Sequence, residues 1–333
     1  MANKYQMQDG LLSPKVAEPR PPAAGEVLVS VEASSMNYRD LAIQAGHYPS
    51  RNGVVPLSDG AGKVLEVGSG VEGLVAGARV ASCFFPFWEA GPATSSNHRA
   101  SLGCDIDGML TKFSTLPASS FVEIPEYLTT LEAATLPCAA LTAWSALTTR
   151  GQLTPGEHVL IQGTGGVAIF ALQFAKAMGA EVSLISSSDE KLERAKSMGA
   201  DHTFNYVAYP DWDSRIVNEL GGEPIDLVIE VGGSGTLQRS LNCLRVGGRV
   251  SVIGVLSGNE VNMSISSILS KWVALYGITV SHREDFLAML RFMQIANINP
   301  VIDQINPLAD AASSYEALAK GLHYGKIVID HDG

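Results

Sequence analysis

The stretch HVLIQGTGGVA, residues 158–168, decides the fold. A strand-like segment runs into a glycine-rich turn, and an amphipathic helix pattern follows. In the pattern Gly-x-Gly-x-x-Ala, Gly163 permits a tight turn, Gly165 lets the backbone approach a pyrophosphate, and the small Ala168 lets helix and strand pack closely. The first N–H groups of the helix offer a partial positive charge to phosphates. The stretch therefore predicts a strand, turn and helix that bind a dinucleotide.

The context of this turn strengthens the prediction. Strands are predicted over 181–186, 225–230, 248–253 and 275–280, with a helix over 189–198. Alternating strands and helices at this spacing imply a parallel sheet covered on both faces. A glycine pattern alone is weak, but a strand before it, a helix after it and a second strand at the right distance favour a dinucleotide over a purely structural turn. A phosphate-binding P-loop is excluded, because no Gly-Lys-Ser/Thr follows.

The end of the second strand indicates which dinucleotide binds. An NAD site usually has Asp or Glu there, which binds the ribose 2′-hydroxyl. This chain has Ser186–Ser188 instead, followed by Lys191 within reach. Hydroxyls and an ammonium suit a 2′-phosphate, so the sequence favours NADPH over NADH. Alternatively, the serines serve only to begin the helix over 189–198, with Ser187 and Glu190 as a capping box, and Ser187 can do both.

The bulk composition is that of an ordinary globular protein. The chain has 333 residues, 46% hydrophobic and 17% charged, which is enough for two cores and argues against disorder. Its net charge of −11 disfavours a nucleic-acid partner, since phosphate binding needs a basic surface. The start of the chain lacks a secretory pattern, and the uncharged stretches 133–149 and 159–175 fall short of the roughly 20 apolar residues that a membrane span needs. We expect a cytoplasmic protein with no membrane partner.

The first third of the chain has the alternation typical of β-strands. Strands are predicted over 26–33, 61–67 and 78–83, and a helix over 130–149 with Thr130 as its N-cap. A last strand is predicted over 326–330. None of the four cysteines has Cys-x-x-Cys spacing, which argues against a zinc ribbon and against a disulfide framework.

Motifs along nearly the whole chain carry a family resemblance. They are Asn37-Tyr38-Arg39-Asp40, Pro56-Leu57-Ser58-Asp59-Gly60-Ala61-Gly62, Gly77-Ala78-Arg79-Val80, Ala133-Ala134-Thr135-Leu136-Pro137, the glycine turn, residues 191–200 and His323-Tyr324-Gly325-Lys326. Through them the chain resembles the medium-chain dehydrogenase/reductase superfamily, in its zinc-independent, quinone-oxidoreductase-like branch. The resemblance implies an α/β protein with a β-rich, GroES-like catalytic domain from 1–124 and 282–333. It also implies a Rossmann domain with a doubly wound parallel sheet from 125–281.

The resemblance bears on metal content. Zinc-containing relatives bind the catalytic metal through a Cys where this chain has Asn37, through a His-Glu pair where it has Ser58-Asp59, and through a Cys that matches Cys138. One thiolate with Asn and Ser cannot make the three-ligand site that catalytic zinc needs. The relatives' structural zinc site uses four closely spaced cysteines, and the stretch 85–108 offers only Cys104. The resemblance therefore implies no zinc and no other metal.

Two residues are candidates for catalysis on the same resemblance. Tyr48 lies where related enoyl reductases carry a tyrosine implicated in protonation, and a neutral tyrosine can donate a proton; the alternative is an aromatic residue on a surface loop. Asn37 matches a position that lines the substrate pocket near the nicotinamide. Arg39 and Asp40 are more typical of an ion pair that holds the start of a helix.

The resemblance also implies which residues bind the cofactor. Thr142 is expected near the nicotinamide or the phosphates, and Gly165, Gly166 and Val167 at the pyrophosphate. The other expected contacts are Ser186, Ser187, Lys191 and Tyr206 around the adenosine 2′-phosphate, Gly232 beside the ribose, and Gly254, Val255 and Leu256 near the nicotinamide.

These expectations combine into a predicted activity. Without a metal, an enzyme must stabilise developing charge by hydrogen bonds and supply a proton from a side chain or water. That chemistry suits hydride transfer from NADPH to a conjugated C=C bond, or to a quinone or carbonyl small-molecule substrate. The alternatives are a zinc-type alcohol dehydrogenase acting on an alcohol/aldehyde pair and a non-catalytic NADPH-binding protein. The resemblance further implies a homodimer in which the last Rossmann strand pairs across a two-fold axis.

Overall fold

The computed structural model describes residues 3–16, 18–98, 100–222 and 224–333. In chain order, its strands are β1 (Lys4–Gln8), β2 (Leu11–Lys15), β3 (Glu26–Ser35), β4 (Asp59–Val67), β5 (Arg79–Ser82), β6 (Phe113–Pro117), β7 (Phe121–Glu123), β8 (His158–Gln162), β9 (Glu181–Ser186), β10 (His202–Asn205), β11 (Ile225–Glu230), β12 (Leu244–Val252), β13 (Ala274–Gly277), β14 (Ile302–Pro307) and β15 (Lys326–Asp330).

The α-helices are α1 (Tyr38–Gln44), α2 (Thr130–Ala133), α3 (Leu141–Leu147), α4 (Gly166–Ala177), α5 (Asp189–Ser197), α6 (Trp212–Leu220), α7 (Leu237–Cys243), α8 (Ile265–Lys271), α9 (Arg283–Ala296) and α10 (Ala311–Lys320). Short 3-10 turns span Ala118–Ser120 and Leu308–Asp310. Across the described residues, none of the helices combines the length and the hydropathy that crossing a membrane requires.

One compact unit contains the chain up to Leu141 together with Ser281–Gly333. Its main sheet has the strand order β14-β15-β3-β4-β5-β7, and β6 pairs with β3. Strands β14 and β15 are parallel, whereas the other pairs are antiparallel. Val27, Val29 and Val31 of β3 enter one apolar core, because alternate side chains of a strand point to the same face. The β-rich domain that the sequence predicts is confirmed.

The second compact unit is Thr142–Val280. Its sheet has the order β10-β9-β8-β11-β12-β13, and every neighbouring pair is parallel. The whole of β8 is buried, as expected for a strand covered by helices on both faces. This order is that of dinucleotide-binding sheets, in which ligands bind at the carboxyl ends of the strands where the order reverses, here between β8 and β11. The predicted doubly wound sheet is confirmed.

The prediction of one continuous helix over 130–149 is wrong, because the structure has two helices separated by a turn. Helix α2 ends at Ala133, a π-helical turn spans Leu136–Ala140, and α3 begins at Leu141. Pro137 lies at the start of this turn and has no N–H to continue the preceding helix, which accounts for the interruption. The N-cap is Thr129 and not Thr130, because the side chain of Thr129 accepts a hydrogen bond from the backbone N–H of Glu132.

The predicted domain boundaries, at 124/125 and 281/282, stay a prediction. The compact units divide at 141/142 and 280/281, which places α2 and the π-helical turn with the first unit. Compactness reports which segments pack together, and it does not report which segments form an independent domain.

Candidate active site

The turn between β8 and α4 has the backbone geometry that its glycines predict. Gly163 has a φ of 80°, which residues with a Cβ rarely adopt. Its N–H donates to the carbonyl of Ile185 at 2.7 Å, which ties the turn to β9. Gly165 is the N-cap of α4, and Ala168 is buried in its first turn. The first N–H groups of α4 therefore lie at the carboxyl edge of the sheet, where a diphosphate can accept hydrogen bonds.

A buried carboxylate, which the sequence analysis missed, holds the loop after β11. Glu230 is the last residue of β11 and is fully buried. Its Oε1 accepts from the backbone N–H groups of Gly232 and Gly233, at 2.9 and 3.0 Å, and its Oε2 accepts from Gln162 Nε2 at 2.7 Å. Because Gln162 directly precedes Gly163, the network places Gly232 beside the glycine turn. The available signal was an acid at the end of an apolar strand.

The predicted 2′-phosphate residues come together at the end of β9. Ser186 is buried, Ser187 is exposed, and the backbone N–H of Tyr206 donates to the carbonyl of Ser186 at 3.1 Å. The N-cap of α5 is Ser188, whose Oγ accepts from the N–H of Lys191 at 3.4 Å. The predicted Ser187–Glu190 capping box is therefore wrong, because the cap lies one residue further along. The hydroxyl of Ser187 is left outside the helix cap.

The remaining predicted cofactor residues fall into two groups. Gly254, Val255 and Leu256 follow β12, and the side chains of Val255 and Leu256 are about half exposed. Like the residues that follow β8, β9 and β11, they lie at the carboxyl edge of the sheet, where ligands of such sheets bind. Thr142 is buried in α3 and does not lie at a strand end.

In the first unit, a buried ammonium joins two of the residues that the sequence analysis named. Lys326 is the first residue of β15 and is 2% exposed. Its Nζ donates to the carbonyl of Met36 at 2.6 Å and to Oδ1 of Asn37 at 2.7 Å, and it lies 3.7 Å from Oδ2 of Asp59. Asp59 is fully buried, so each charge supplies the partner that the other needs. In the sequence, Lys326 is visible only as the last residue of the motif His323-Tyr324-Gly325-Lys326, and its role depends on these distant partners.

Asp59 joins Ser58 and Cys138 to the same cluster. Ser58 Oγ donates to Oδ1 of Asp59 at 2.7 Å, and the backbone N–H of Cys138 donates to Oδ2 at 3.3 Å. Burial, together with the negative charge of Asp59, raises the pKa of the Cys138 thiol, so the thiol is protonated at neutral pH. The structure therefore brings together the four residues that match the relatives' metal position.

The side-chain amide of Asn37 keeps one hydrogen-bonding group unused. Its Oδ1 accepts from Lys326, and its backbone N–H donates to Oδ2 of Asp40 at 2.7 Å. Its Nδ2 is buried and has no hydrogen-bond partner among the described residues. A buried donor without an acceptor costs free energy, and such exceptions often mark a binding site. Asn37 Nδ2 can therefore donate to an oxygen atom of a bound ligand.

Tyr48 lies in the loop after α1 and is 47% exposed. Its ring turns back towards the first turn of α1, since its centroid lies 5.8 Å from the guanidinium carbon of Arg39. Arg39 also donates to the carbonyl of Leu102 at 2.8 Å and to Ser101 Oγ at 2.9 Å. Asp40 instead accepts from Asn37, so Arg39 and Asp40 stabilise this helix start separately and not as the expected ion pair.

Comparison with known proteins decides the family. The model for the alcohol dehydrogenase GroES-like domain matches residues 23–126, and the model for zinc-binding dehydrogenases matches residues 166–294. A zinc-type alcohol dehydrogenase-like protein of Schizosaccharomyces pombe is 41% identical over 346 residues, covering 100% of both chains. The chain belongs to the medium-chain dehydrogenase/reductase superfamily.

Two further relatives are named for different activities. A Sinorhizobium meliloti protein that carries the name alcohol dehydrogenase has a crystal structure that matches with a TM-score of 0.92, at 38% identity, over 99% of this chain and 98% of its own. An acryloyl-coenzyme A reductase of Metallosphaera sedula is 30% identical over 324 residues, covering 95% of both chains. The superfamily uses nicotinamide dinucleotides, so this member is an oxidoreductase acting on a small molecule.

The residues at the superfamily's metal position do not fit a catalytic zinc ion. Such an ion needs three protein ligands that offer free lone pairs, often a thiolate among them. In this member, Asn37 Oδ1 accepts from an ammonium, the Ser58 hydroxyl is bonded to Asp59, and both carboxylate oxygens of Asp59 already accept hydrogen bonds. The Cys138 thiol is then one ligand where three are needed. The ammonium of Lys326, 2.7 Å from Oδ1 of Asn37, would also repel a divalent cation.

The first prediction concerns this ammonium. Lys326→Met should lower the free energy of unfolding by about 3–5 kcal/mol, because it leaves Asp59 buried without a counter-ion. Chemical denaturation measures the loss. The matched control is Lys63→Met, which removes an exposed ion pair with Glu32 and should cost less than about 1 kcal/mol. Adding Asp59→Asn to Lys326→Met should recover part of the loss; equal effects of the two lysine changes would contradict the account.

Proposed function

We propose that this superfamily member is an NADPH-dependent reductase that transfers hydride, without a metal, to a conjugated C=C bond or to a quinone or carbonyl substrate. The observation that carries the proposal is the buried ammonium of Lys326 beside Asn37, at the position that matches the metal site of zinc-containing relatives. The acryloyl-coenzyme A reductase supports it, because the name denotes reduction of a C=C bond conjugated with a thioester.

Asn37 binds the substrate oxygen in this proposal. Its Nδ2 donates to the carbonyl oxygen that is conjugated with the C=C bond, and it stabilises the negative charge that develops there. The ammonium of Lys326, bonded to Oδ1 of the same amide, polarises the amide and strengthens Nδ2–H as a donor. The bound NADPH supplies the hydride.

Tyr48 supplies the proton in this proposal. Its Oη–H gives a proton to the carbon next to the carbonyl group, which completes reduction of the C=C bond. The guanidinium of Arg39, 5.8 Å from the Tyr48 ring centroid, holds the ring near the first turn of α1. Solvent then returns the proton to the phenolate. The exposure of Tyr48 gives water access for that return.

The second prediction tests the proton donor. Tyr48→Phe should lower kcat for NADPH-dependent reduction of an α,β-unsaturated ketone by about 100-fold or more, because the proton then comes only from water. The dissociation constant for NADPH, measured by fluorescence, should not change. The matched control is Tyr38→Phe, which removes a hydroxyl from another half-exposed tyrosine of the same region and should leave kcat within about twofold. Unchanged turnover in Tyr48→Phe would remove Tyr48 from the mechanism.

The preference for NADPH rests on the end of β9. The hydroxyls of Ser186 and Ser187 and the ammonium of Lys191 can bind the 2′-phosphate, and no carboxylate lies at Ser186–Ser188 to repel it. The structure supports the proposal by leaving the Ser187 hydroxyl outside the helix cap.

The third prediction tests this preference. Ser187→Asp combined with Lys191→Ala should shift the ratio of kcat/KM for NADPH and NADH towards NADH by at least about tenfold. The physical reason is that the change removes a charge-assisted contact and adds a repelling carboxylate. The matched control is Ser188→Ala, which removes only the cap of α5 and should leave the ratio unchanged. A ratio that stays constant in the double variant would mean that the phosphate binds elsewhere.

A zinc-type alcohol dehydrogenase is the second candidate, because the Schizosaccharomyces pombe relative is named as similar to that class. This candidate requires a zinc ion at Cys138 and oxidation of an alcohol. Metal analysis of Cys138→Ser distinguishes it, since only a catalytic zinc site would lose its ion in that variant.

We also propose that the protein is a homodimer that pairs through β13. This strand is at one end of its sheet. The neighbouring α8 exposes apolar side chains at Ile265 and Leu269, and Trp272, which directly follows the helix, is 81% exposed. Exposed apolar side chains next to an open strand edge are typical of an interface, and a second copy would cover both.

A further inference from the structure

Three residues begin three neighbouring strands of the second unit's sheet. His158 is the first residue of β8, Glu181 of β9 and His202 of β10. Since the strands are parallel, all three lie at the amino edge of the sheet. The glycine turn lies at the opposite edge, about 16 Å away at ~3.3 Å for each residue of β8. The cofactor site does not account for this cluster.

The register puts the three side chains on one face of the sheet. His158 pairs with Glu181, and His202 pairs with Ser183, which lies two residues beyond Glu181 on the same strand. Paired residues share a face, and so do residues two apart on a strand. The sheet therefore places His158, Glu181, Ser183 and His202 together.

The distances match a small cation site. Nε2 of His202 lies 2.7 Å from Oε1 of Glu181, Nδ1 of His158 lies 3.8 Å from Oε2, and the three ligand atoms lie within 4.8 Å of one another. Ligands of a tetrahedral zinc ion, at ~2.0–2.1 Å from the metal, are about 3.3 Å apart. Small side-chain rotations therefore bring all three atoms to bonding distance of one ion.

The surroundings orient the ligands and leave the site open to solvent. Ser183 Oγ lies 2.9 Å from Nε2 of His158, which leaves Nδ1 facing Glu181, and metal-binding histidines commonly hold their second nitrogen in this way. Asp226, which is itself paired with Arg245, accepts from the backbone N–H of His158 at 2.8 Å and fixes the start of β8. The His158 side chain is 8% exposed, whereas that of Glu181 is 50% exposed, so an ion can enter from solvent.

We propose that His158, Glu181 and His202 form a binding site for one divalent transition-metal ion such as zinc, with water as the remaining ligand. Two imidazoles and a carboxylate are ligands that zinc, cobalt and nickel accept. The site joins the starts of three strands, so its function is to stabilise the sheet. It is separate from the proposed hydride-transfer site. The proposal of a metal site therefore does not depend on the proposed function.

A hydrogen-bonded ion pair is the simpler explanation, and it covers only part of the geometry. It accounts for His202 and Glu181, which lie at hydrogen-bond distance. It does not account for Nδ1 of His158, which faces the same carboxylate at 3.8 Å, beyond hydrogen-bond distance. A shared cation satisfies both imidazoles at once.

The fourth prediction tests the site with zinc on the full-length protein, made metal-free by chelation. Calorimetric titration should show one zinc ion bound per chain, and the melting temperature should rise on zinc addition. His202→Ala and Glu181→Gln, both at partly exposed positions, should weaken zinc binding by about 100-fold or more and abolish the rise. Far-UV circular dichroism and the denaturation midpoint without zinc show that each variant is folded.

Cys138→Ser is the matched control, because it alters the superfamily's metal position in the other unit. It should bind zinc as the unchanged protein does. Loss of zinc in Cys138→Ser with retention in His202→Ala would overturn the proposal and assign the ion to the first unit. Absence of binding to the unchanged protein would also overturn it and leave an ion pair alone.

Discussion

The attraction between the buried charges of Lys326 and Asp59 is the constraint on which the first unit depends. An ammonium removed from water needs an anion and hydrogen-bond acceptors, and Asp59, Asn37 and the carbonyl of Met36 supply them. These residues come from the starts of β15 and β4 and from the segment before α1, so one charge fixes how three distant segments meet. The same charge makes the position unsuitable for a divalent metal and leaves Nδ2 of Asn37 as a donor.

The two edges of the second unit's parallel sheet carry different groups of residues. At the carboxyl edge, the glycine turn and the loop held by Glu230 present backbone N–H groups, which suit a dinucleotide. At the amino edge, the first side chains of three strands converge, and these suit a cation. Both follow from parallel pairing, which gathers the ends of strands that are far apart in the sequence.

The sequence predicts three strands of the second unit well, because local signals determine them, whereas it missed β10 and misplaced the ends of β12 and β13. Strands β8, β9 and β11 are apolar runs between turn residues, and the structure has them where the pattern puts them. The break in 130–149 is less visible, since a π-helical turn has no distinctive pattern beyond Pro137. The choice of Ser188 over Ser187 as a cap depends on where β9 ends, and consecutive serines have the same propensity.

The residues that sequence reasoning missed depend on partners far along the chain. Glu230 and Lys326 each look like a charged residue at the end of a strand. Their roles come from Gln162 in one case and from Asn37 and Asp59 in the other. Periodicity within one sequence reports which face of an element is apolar, and it does not report which distant side chain meets a buried charge.

The central claim is that the chemistry needs an amide and an ammonium, and no metal. The most direct measurement is the rate of NADPH-dependent reduction of an α,β-unsaturated carbonyl compound by folded protein whose metal has been removed by chelation and checked by mass spectrometry. The account predicts that turnover is unchanged at negligible metal content. Turnover that disappears with the metal and returns with stoichiometric zinc would contradict it.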